Sequence, residues 1–330
     1  LKLLGTSESG SSVARNPAME GLSEKLTGSS VKFKSCMSAA VDASVLGTLL
    51  VVSIASPGQH HLLNHPVQQL ERTDRSAPDS RPTAGGVTPA PQQTEQLPAD
   101  LLKGLHYLHT IDLTDNELQE IPAHVFHHAP LLNLVLKDNR IFSIHPDCLP
   151  NNSNITWLDL SGNHLIKFPM AQLQSLSHLK VLHLSQNKLE ELPVGCLIAH
   201  PALERLHVDQ NKIQSLDVKG FCCSGNLTHI LLQKNRLDSL PPTVFQGLKR
   251  LEYMDLSDNR LQFLLSGTLD INTSWVELTF NPWHCDAKKE YLWRKLTMES
   301  LQSEPKCTTP ENLKDCVIAT LTRKEMGLPE

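Results

Sequence analysis

From residue 97 onward, apolar residues return on a fixed frame for which asparagines serve as the ruler. Asn116, Asn139, Asn163, Asn187, Asn211, Asn235, Asn259 and Asn281 are spaced by 23, 24, 24, 24, 24, 24 and 22 residues. Apolar residues stand eight, five and three positions before the first seven asparagines and usually two after them. Around Asn116 they are Leu108, Ile111, Leu113 and Leu118; around Asn187 they are Leu179, Leu182, Leu184 and Leu189. Seven copies are in phase, and an eighth is degenerate (Val276, Leu278, Asn281). The apolar-polar-apolar centre of each copy predicts a short strand with two inward side chains. The fixed period predicts one parallel strand per copy, stacked about 4.8 Å from the last and together lining a concave surface.

The spacing L-x-x-L-x-L-x-x-N-x-L is the leucine-rich repeat signature. The expected fold is therefore α/β, a solenoid with parallel strands on the concave face and an irregular convex side. The ruler asparagines are read as structural, turning the chain by hydrogen-bonding backbone groups of their own and the neighbouring coil. Later in the copies come Pro122, Pro169, Pro193 and Pro241, and Phe126, Leu149, Leu197, Phe221 and Phe245 are placed in the convex side of the core. An open solenoid exposes its core at both ends and needs caps. Three segments follow: residues 1–96 as a disordered or atypical leader, 97–281 as about eight repeats, and 282–330 as a C-terminal cap.

The first segment has no sustained period, and its second half is punctuated by Pro57, Pro66, Pro78, Pro82, Pro89, Pro91 and Gly85-Gly86. Its apolar run from Val45 to Ala55 has the length of a secretion-signal core, with Lys32 and Lys34 upstream. Asp42 and the distance from residue 1 favour reading it as an incidental patch. No strand or cysteine pair that would cap the first repeat stands out before Leu97–Leu105.

Charge and cysteine content narrow the function. With 30 Lys and Arg against 35 Asp and Glu the net charge is −5, which argues against a general nucleic-acid binder. No run of about 20 apolar residues suits a membrane span. No phosphate loop, dinucleotide fingerprint, nucleophile elbow or zinc-protease motif occurs, so neither an enzyme nor a cofactor is expected. Cys148 and Cys196 occupy equivalent positions two repeats apart, too far to bond. Cys222 and Cys223 are read as small apolar filling on the convex side. His183 and His207 are neighbours on the sheet, but no recognised zinc spacing accompanies them.

The segments LVLKDNRI (134–141), LDLSGNHLIKFP (158–169), LERLHVDQNKIQ (203–214), VFQGLKRLEYMDLSDN (244–259) and NPWHCD (281–286) resemble the leucine-rich alpha-2-glycoprotein family, which includes the beta-type phospholipase A2 inhibitors of snake plasma. The resemblance implies a secreted, extracellular glycoprotein that binds proteins: cytochrome c or transforming growth factor beta pathway components in one branch, basic phospholipases in the other. It further implies a cysteine-flanked cap, with Ala287 in place of one usual cysteine and a bridge between Cys285 and Cys307. A structural role in the extracellular matrix is the alternative.

Residues alternating with the buried leucines face outward. Six positions before the asparagines stand Thr110, Asn133, Trp157, Val181, Arg205, His229, Tyr253 and Trp275; four before stand Asp112, Val135, Asp159, His183, His207, Leu231, Asp255 and Glu277. Asp112, Trp157, Asp159, His183, Arg205, His207, Tyr253, Asp255, Trp275 and Glu277 form the candidate partner site. Counting Asp115, Lys137, Asp138, Asp209, Lys234 and Asp258 beside them, acids outnumber bases, and aromatic anchors in an acidic surface suit a basic protein. Glycosylation sequons lie at Asn151, Asn154, Asn226 and Asn272. The last three each fall nine residues before a ruler asparagine, which places sugars along one rim and leaves the sheet free.

Overall fold

A computed structural model describes residues 31–34, 48–54, 97, 99–271, 273, 275–287, 290–298 and 301–329, the first two stretches by their backbone. Eight parallel strands line the concave face: β3 (Leu108–Asp112), β5 (Asn133–Val135), β7 (Trp157–Asp159), β8 (Val181–His183), β9 (Arg205–His207), β10 (His229–Leu231), β11 (Tyr253–Asp255) and β12 (Trp275–Glu277). Each repeat sits in register on the next, so Trp157, Val181, Arg205, His229, Tyr253 and Trp275 form one row. Asp159, His183, His207, Leu231, Asp255 and Glu277 form a second. The molecule is a leucine-rich-repeat solenoid with a disulfide in its C-terminal cap.

The apolar frame is the core. The leucines and isoleucines five and three positions before each asparagine are buried, as are Phe126, Leu149, Leu197, Phe221 and Phe245 on the convex side. Leu173 and Leu269 complete that convex row. The convex side holds short elements: β4 (Glu120–Ile121) pairs with β6 (Ser143–Ile144), a 3-10 turn spans Pro146–Cys148, and α1 spans Met170–Leu173.

The asparagine ladder welds the coils together. The Asn163 Nδ2 donates to Leu160 O and Ser161 O in its own repeat and to Leu136 O one repeat back, while its Oδ1 accepts from Ile141 N–H. Asn139, Asn187, Asn211, Asn235 and Asn259 repeat the pattern. Each amide satisfies buried backbone groups of two coils at once, groups that would otherwise carry a desolvation penalty.

At the N-terminal end the structure corrects the expectation of an uncapped edge. Strand β2 (Thr48–Ile54), inside the apolar run, pairs in parallel with β3, and β1 (Val31–Lys34) pairs antiparallel with β2. An edge strand presents unpaired N–H and C=O groups, and a run rich in β-branched residues such as Val51, Val52 and Ile54 suits a strand that satisfies them.

At the other end β13 (Trp283–His284) pairs with β14 (Cys307–Thr309), and α2 (Glu290–Met298) covers the last repeat with Leu292, Trp293 and Leu296. Trp283 Nε1 donates to Leu278 O at 2.9 Å and Trp293 Nε1 to Leu321 O at 2.8 Å. Cys285 and Cys307 are bonded with Cα atoms 5.9 Å apart. Closing that loop of 22 residues is worth about 3 kcal/mol in the chain-entropy account. The buried Lys295 ammonium lies 2.6 Å from Asp270 Oδ1, and Tyr291 O–H donates to the same carboxylate, tying cap to repeat. These two donors hold Asp270 below the usual carboxylate range, and burial pushes Tyr291 up to about 12. Among the described residues no helix is long and apolar enough to cross a membrane.

Candidate functional site: the concave face

The register divides the outward residues into two groups. On the N-terminal side the Trp157 indole stacks on the His183 ring with centroids 5.1 Å apart, and His183 meets His207 at 4.1 Å. Asp159 and Asp209 flank the imidazoles, and Arg205 is exposed in the adjoining row. On the C-terminal side His229 and Tyr253 lie 6.2 Å apart, Tyr253 O–H reaches Asp255 at 3.5 Å, and Trp275 and Glu277 occupy the next strand. Asp112 stands apart from both, at the N-terminal end of the repeat array. Trp157 and Trp275 remain 39% and 43% exposed although their backbones lie within the sheet.

The carboxylates do more than present charge. Asp112, Asp159 and Asp255 each accept from the backbone N–H two residues on, and Asp159 and Asp255 also accept from Ser161 Oγ and Ser257 Oγ. Glu277 accepts from Leu278 and Thr279 N–H. Each therefore anchors the turn that leaves its strand while keeping a negative charge on the face.

The imidazoles are held neutral. Burial lowers the pKa of His183 and lowers that of His207 to about 4; the second is depressed further by its neighbour His183, and nearby aspartates oppose the shift in both. Burial, Asp255 and Glu277 raise Tyr253, so the phenol stays protonated. Among the described residues no three metal-ligating side chains gather, and the His183-His207 pair lacks the further ligands a zinc site needs. What the face offers is stacking surface, hydrogen bonds and negative charge.

One functional candidate escapes a reading by outward position and charge. The residue before each ruler asparagine has a left-handed backbone: Asp115, Asp138, Gly162, Gln186, Gln210, Lys234, Asp258 and Phe280, with φ between 51° and 66°. From Asp115 to Asp258 this turn directs the N–H to a carbonyl of the next coil, as Asp138 N–H does to Ser161 O at 2.9 Å. At Gly162 a Cβ would meet Asp138 Oδ1, so a side chain there would require that carboxylate to move. At Phe280 an aromatic ring is carried at this costly φ with 83% exposure, beyond the last full repeat and close in sequence to Trp275. Its signal in the sequence is an aromatic residue where the other copies carry Asp, Gly, Gln or Lys.

The sequon asparagines Asn151, Asn154 and Asn226 are exposed. Asn226 Nδ2 donates to Pro201 O and its Oδ1 accepts from Arg250. Asn272 lies outside the described residues. The reading of Cys222 and Cys223 as core filling is corrected: both are exposed. Phe221 holds the convex core position shared with Leu197 and Phe245, so the next two residues turn outward, as Ile198 does one repeat earlier. Cys148 and Cys196 are free and buried, and burial pushes both thiols up to about 12.

A stacked parallel sheet, an asparagine ladder and a disulfide-closed cap define a leucine-rich-repeat solenoid with an open concave face. Leucine rich repeat models match residues 106–165, 130–189, 153–213, 201–261 and 225–278, which together span more than half of the chain, and the chain belongs to that family. Human 5T4, the trophoblast glycoprotein also called Wnt-activated inhibitory factor 1, is similar in structure, with a TM-score of 0.52 and 22% identity over 71% of this chain and 83% of that one. A chain of the Drosophila Toll-Spatzle complex is similar at a TM-score of 0.52 and 21% identity, over 68% of this chain and 36% of that one. At such identities the likeness is one of fold. No curated protein matches the sequence.

Proposed function

We propose that this chain is a secreted glycoprotein that binds a basic protein on its concave face without catalysis, in the manner of leucine-rich alpha-2-glycoprotein or, as the alternative, a beta-type phospholipase A2 inhibitor. The observation that carries the reading is the run of part-exposed rings across β7 to β12, flanked in register by carboxylates and ending at Phe280. Rigid aromatic anchors supply hot-spot area, and acidic neighbours steer a cationic partner. One of the similar structures is itself a complex, that of Toll with Spatzle. Sugars on Asn151, Asn154, Asn226 and Asn272 would leave this face open, and residues 97–281 would carry the contact while 282–330 close the end.

The test is a titration of the immobilised full chain with cytochrome c and with a basic phospholipase A2, at low and high salt. Trp275→Ala and Trp157→Ala are expected to weaken binding at least tenfold. The double variant Asp159→Asn with Asp255→Asn keeps the turn acceptors but removes charge, and should slow association and flatten the salt dependence. Unchanged binding in all three variants would place the contact elsewhere. Failure of both basic proteins to bind would reject the basic-partner reading.

A further inference from the structure

The Cys222 and Cys223 Sγ atoms lie 3.3 Å apart, and both residues are exposed on a convex turn. No strand or helix includes them, so the side chains can rotate without breaking a ladder. The backbone behind them is fixed instead: a Cβ placed on Gly247 of the next repeat would lie 2.2 Å from Phe221 O and 2.9 Å from Cys222 Cα. The following coil thus backs the Cys222 peptide and allows only glycine there. Among the described residues the other cysteines are differently placed, with Cys148 and Cys196 buried, Cys285 and Cys307 bonded, and Cys316 half-buried.

We infer that Cys222-Cys223 is an exposed vicinal dithiol that low-molecular-weight disulfides, of which glutathione disulfide is the type, oxidise to a vicinal disulfide. In the first step one cysteine thiolate attacks a sulfur of glutathione disulfide. That S–S bond breaks, a protein-glutathione bond forms, and the departing glutathione thiolate takes up the proton the cysteine lost. In the second step the neighbouring thiolate attacks the protein sulfur of the mixed disulfide and expels the second glutathione, which is protonated in turn. Two protein thiols are oxidised to one S–S bond while one glutathione disulfide is reduced to two thiols. The sulfurs must close from 3.3 Å to about 2.05 Å, and the ring they form spans one peptide whose Cα atoms, about 3.8 Å apart, lie below the usual disulfide range, so the bond is readily reducible. The hydrogen bond between them lets the residue that keeps its proton stabilise the other's thiolate, and accordingly the Cys223 thiol is raised by its bond with Cys222. Resolution by an adjacent thiol outruns release to solvent because it is intramolecular.

The experiment equilibrates the folded full chain, from both reduced and oxidised starting material, in glutathione redox buffers. The mixture is then quenched with acid, alkylated and mapped by mass spectrometry. The wild-type peptide is expected to pass from doubly alkylated to a closed, unalkylated form two hydrogens lighter than the free dithiol peptide, with no glutathione adduct accumulating. Cys222→Ser and Cys223→Ser, both at exposed positions, should instead accumulate the adduct, because no second thiol resolves it. Buried Cys148 and Cys196 serve as internal controls that alkylate only after unfolding. The inference is overturned if the wild type accumulates the adduct as the single variants do. It is also overturned if its pair stays fully alkylatable at every buffer ratio.

Discussion

Replacing Phe280 separates stability from binding in a way that few surface substitutions can. The residue sits at φ 57° with 83% exposure, so the ring contributes little burial while the backbone pays for a left-handed conformation. That conformation costs a residue with a Cβ roughly 1–2 kcal/mol. Glycine removes the penalty but gives back about 0.5–1 kcal/mol in chain entropy. Asparagine tolerates the region while keeping a side chain. Both Phe280→Gly and Phe280→Asn are therefore expected to stabilise the fold by about 0.5–1 kcal/mol, read as a higher urea midpoint at constant slope. If the ring is an anchor of the contact, the same variants lose about tenfold or more in affinity for the basic probe, or about 1.4 kcal/mol. Higher stability with weaker binding is the signature of strain retained for function. An unchanged or lowered midpoint would refute the strain argument, and unchanged affinity would refute the role of the ring.

Asn187→Ala removes three donor contacts, to Leu160 O, Leu184 O and Ser185 O, and strands Leu165 N–H, whose acceptor is Asn187 Oδ1. Denaturant unfolding should show a loss of about 3 kcal/mol, and a loss below about 1 kcal/mol would mean the ladder is not a principal source of cohesion. Acid should weaken the fold through His207: its pKa in the fold is lowered to about 4 from 6.5, so the unfolded chain binds the proton first. That stability is present above the unfolded pKa and is lost as pH falls from about 6.5 toward 4. The drop from 6.5 to about 4 corresponds to about 3.4 kcal/mol, cut by solvent screening of a partly exposed ring to about 1 kcal/mol between pH 7 and 5. Urea titrations at those two pH values should show His207→Gln losing less than the wild type, and equal losses would assign the acid sensitivity to other groups such as the buried His200.

The fold was legible because each repeat states it again. A single buried leucine is ambiguous, but Leu134, Leu158, Leu182, Leu206 and Ile230 at one register leave one packing solution, and every asparagine has the same two coils to satisfy. Position within the period also placed His183 beside His207, because outward side chains at one register in aligned parallel strands must be neighbours, whereas the Trp157 stack on His183 is a diagonal contact, Trp157 being paired with Val181. What escaped was whatever departs from the repeat. The pairing of β2 with β3 rests on a segment outside the period, and no spacing rule links Thr48 to Leu108. The exposure of Cys222 and Cys223 follows from alignment of Phe221 with Leu197, which composition alone obscures, since cysteine is usually a buried residue.

The acidic character of the face was legible only in half. Sequence position gives the charge of Asp159, Asp255 and Glu277, but not that each also holds the turn leaving its strand. Val135, His183, His207 and Leu231 hold this position in the other copies without such a bond, and where a copy does use a side-chain acceptor, serine, asparagine or a carboxylate could each supply it. The choice of a carboxylate adds a charge that the turn itself does not require. The turn accounts for the acceptor at Asp159, Asp255 and Glu277, and the surplus charge, set beside Trp157, Tyr253 and Trp275, is what the proposed contact with a basic protein would use. An alanine at Asp159 would remove acceptor and charge together and confound the two. The aspartate-to-asparagine exchange separates them, since a stability loss reports the turn and a lower association rate at constant stability reports the charge.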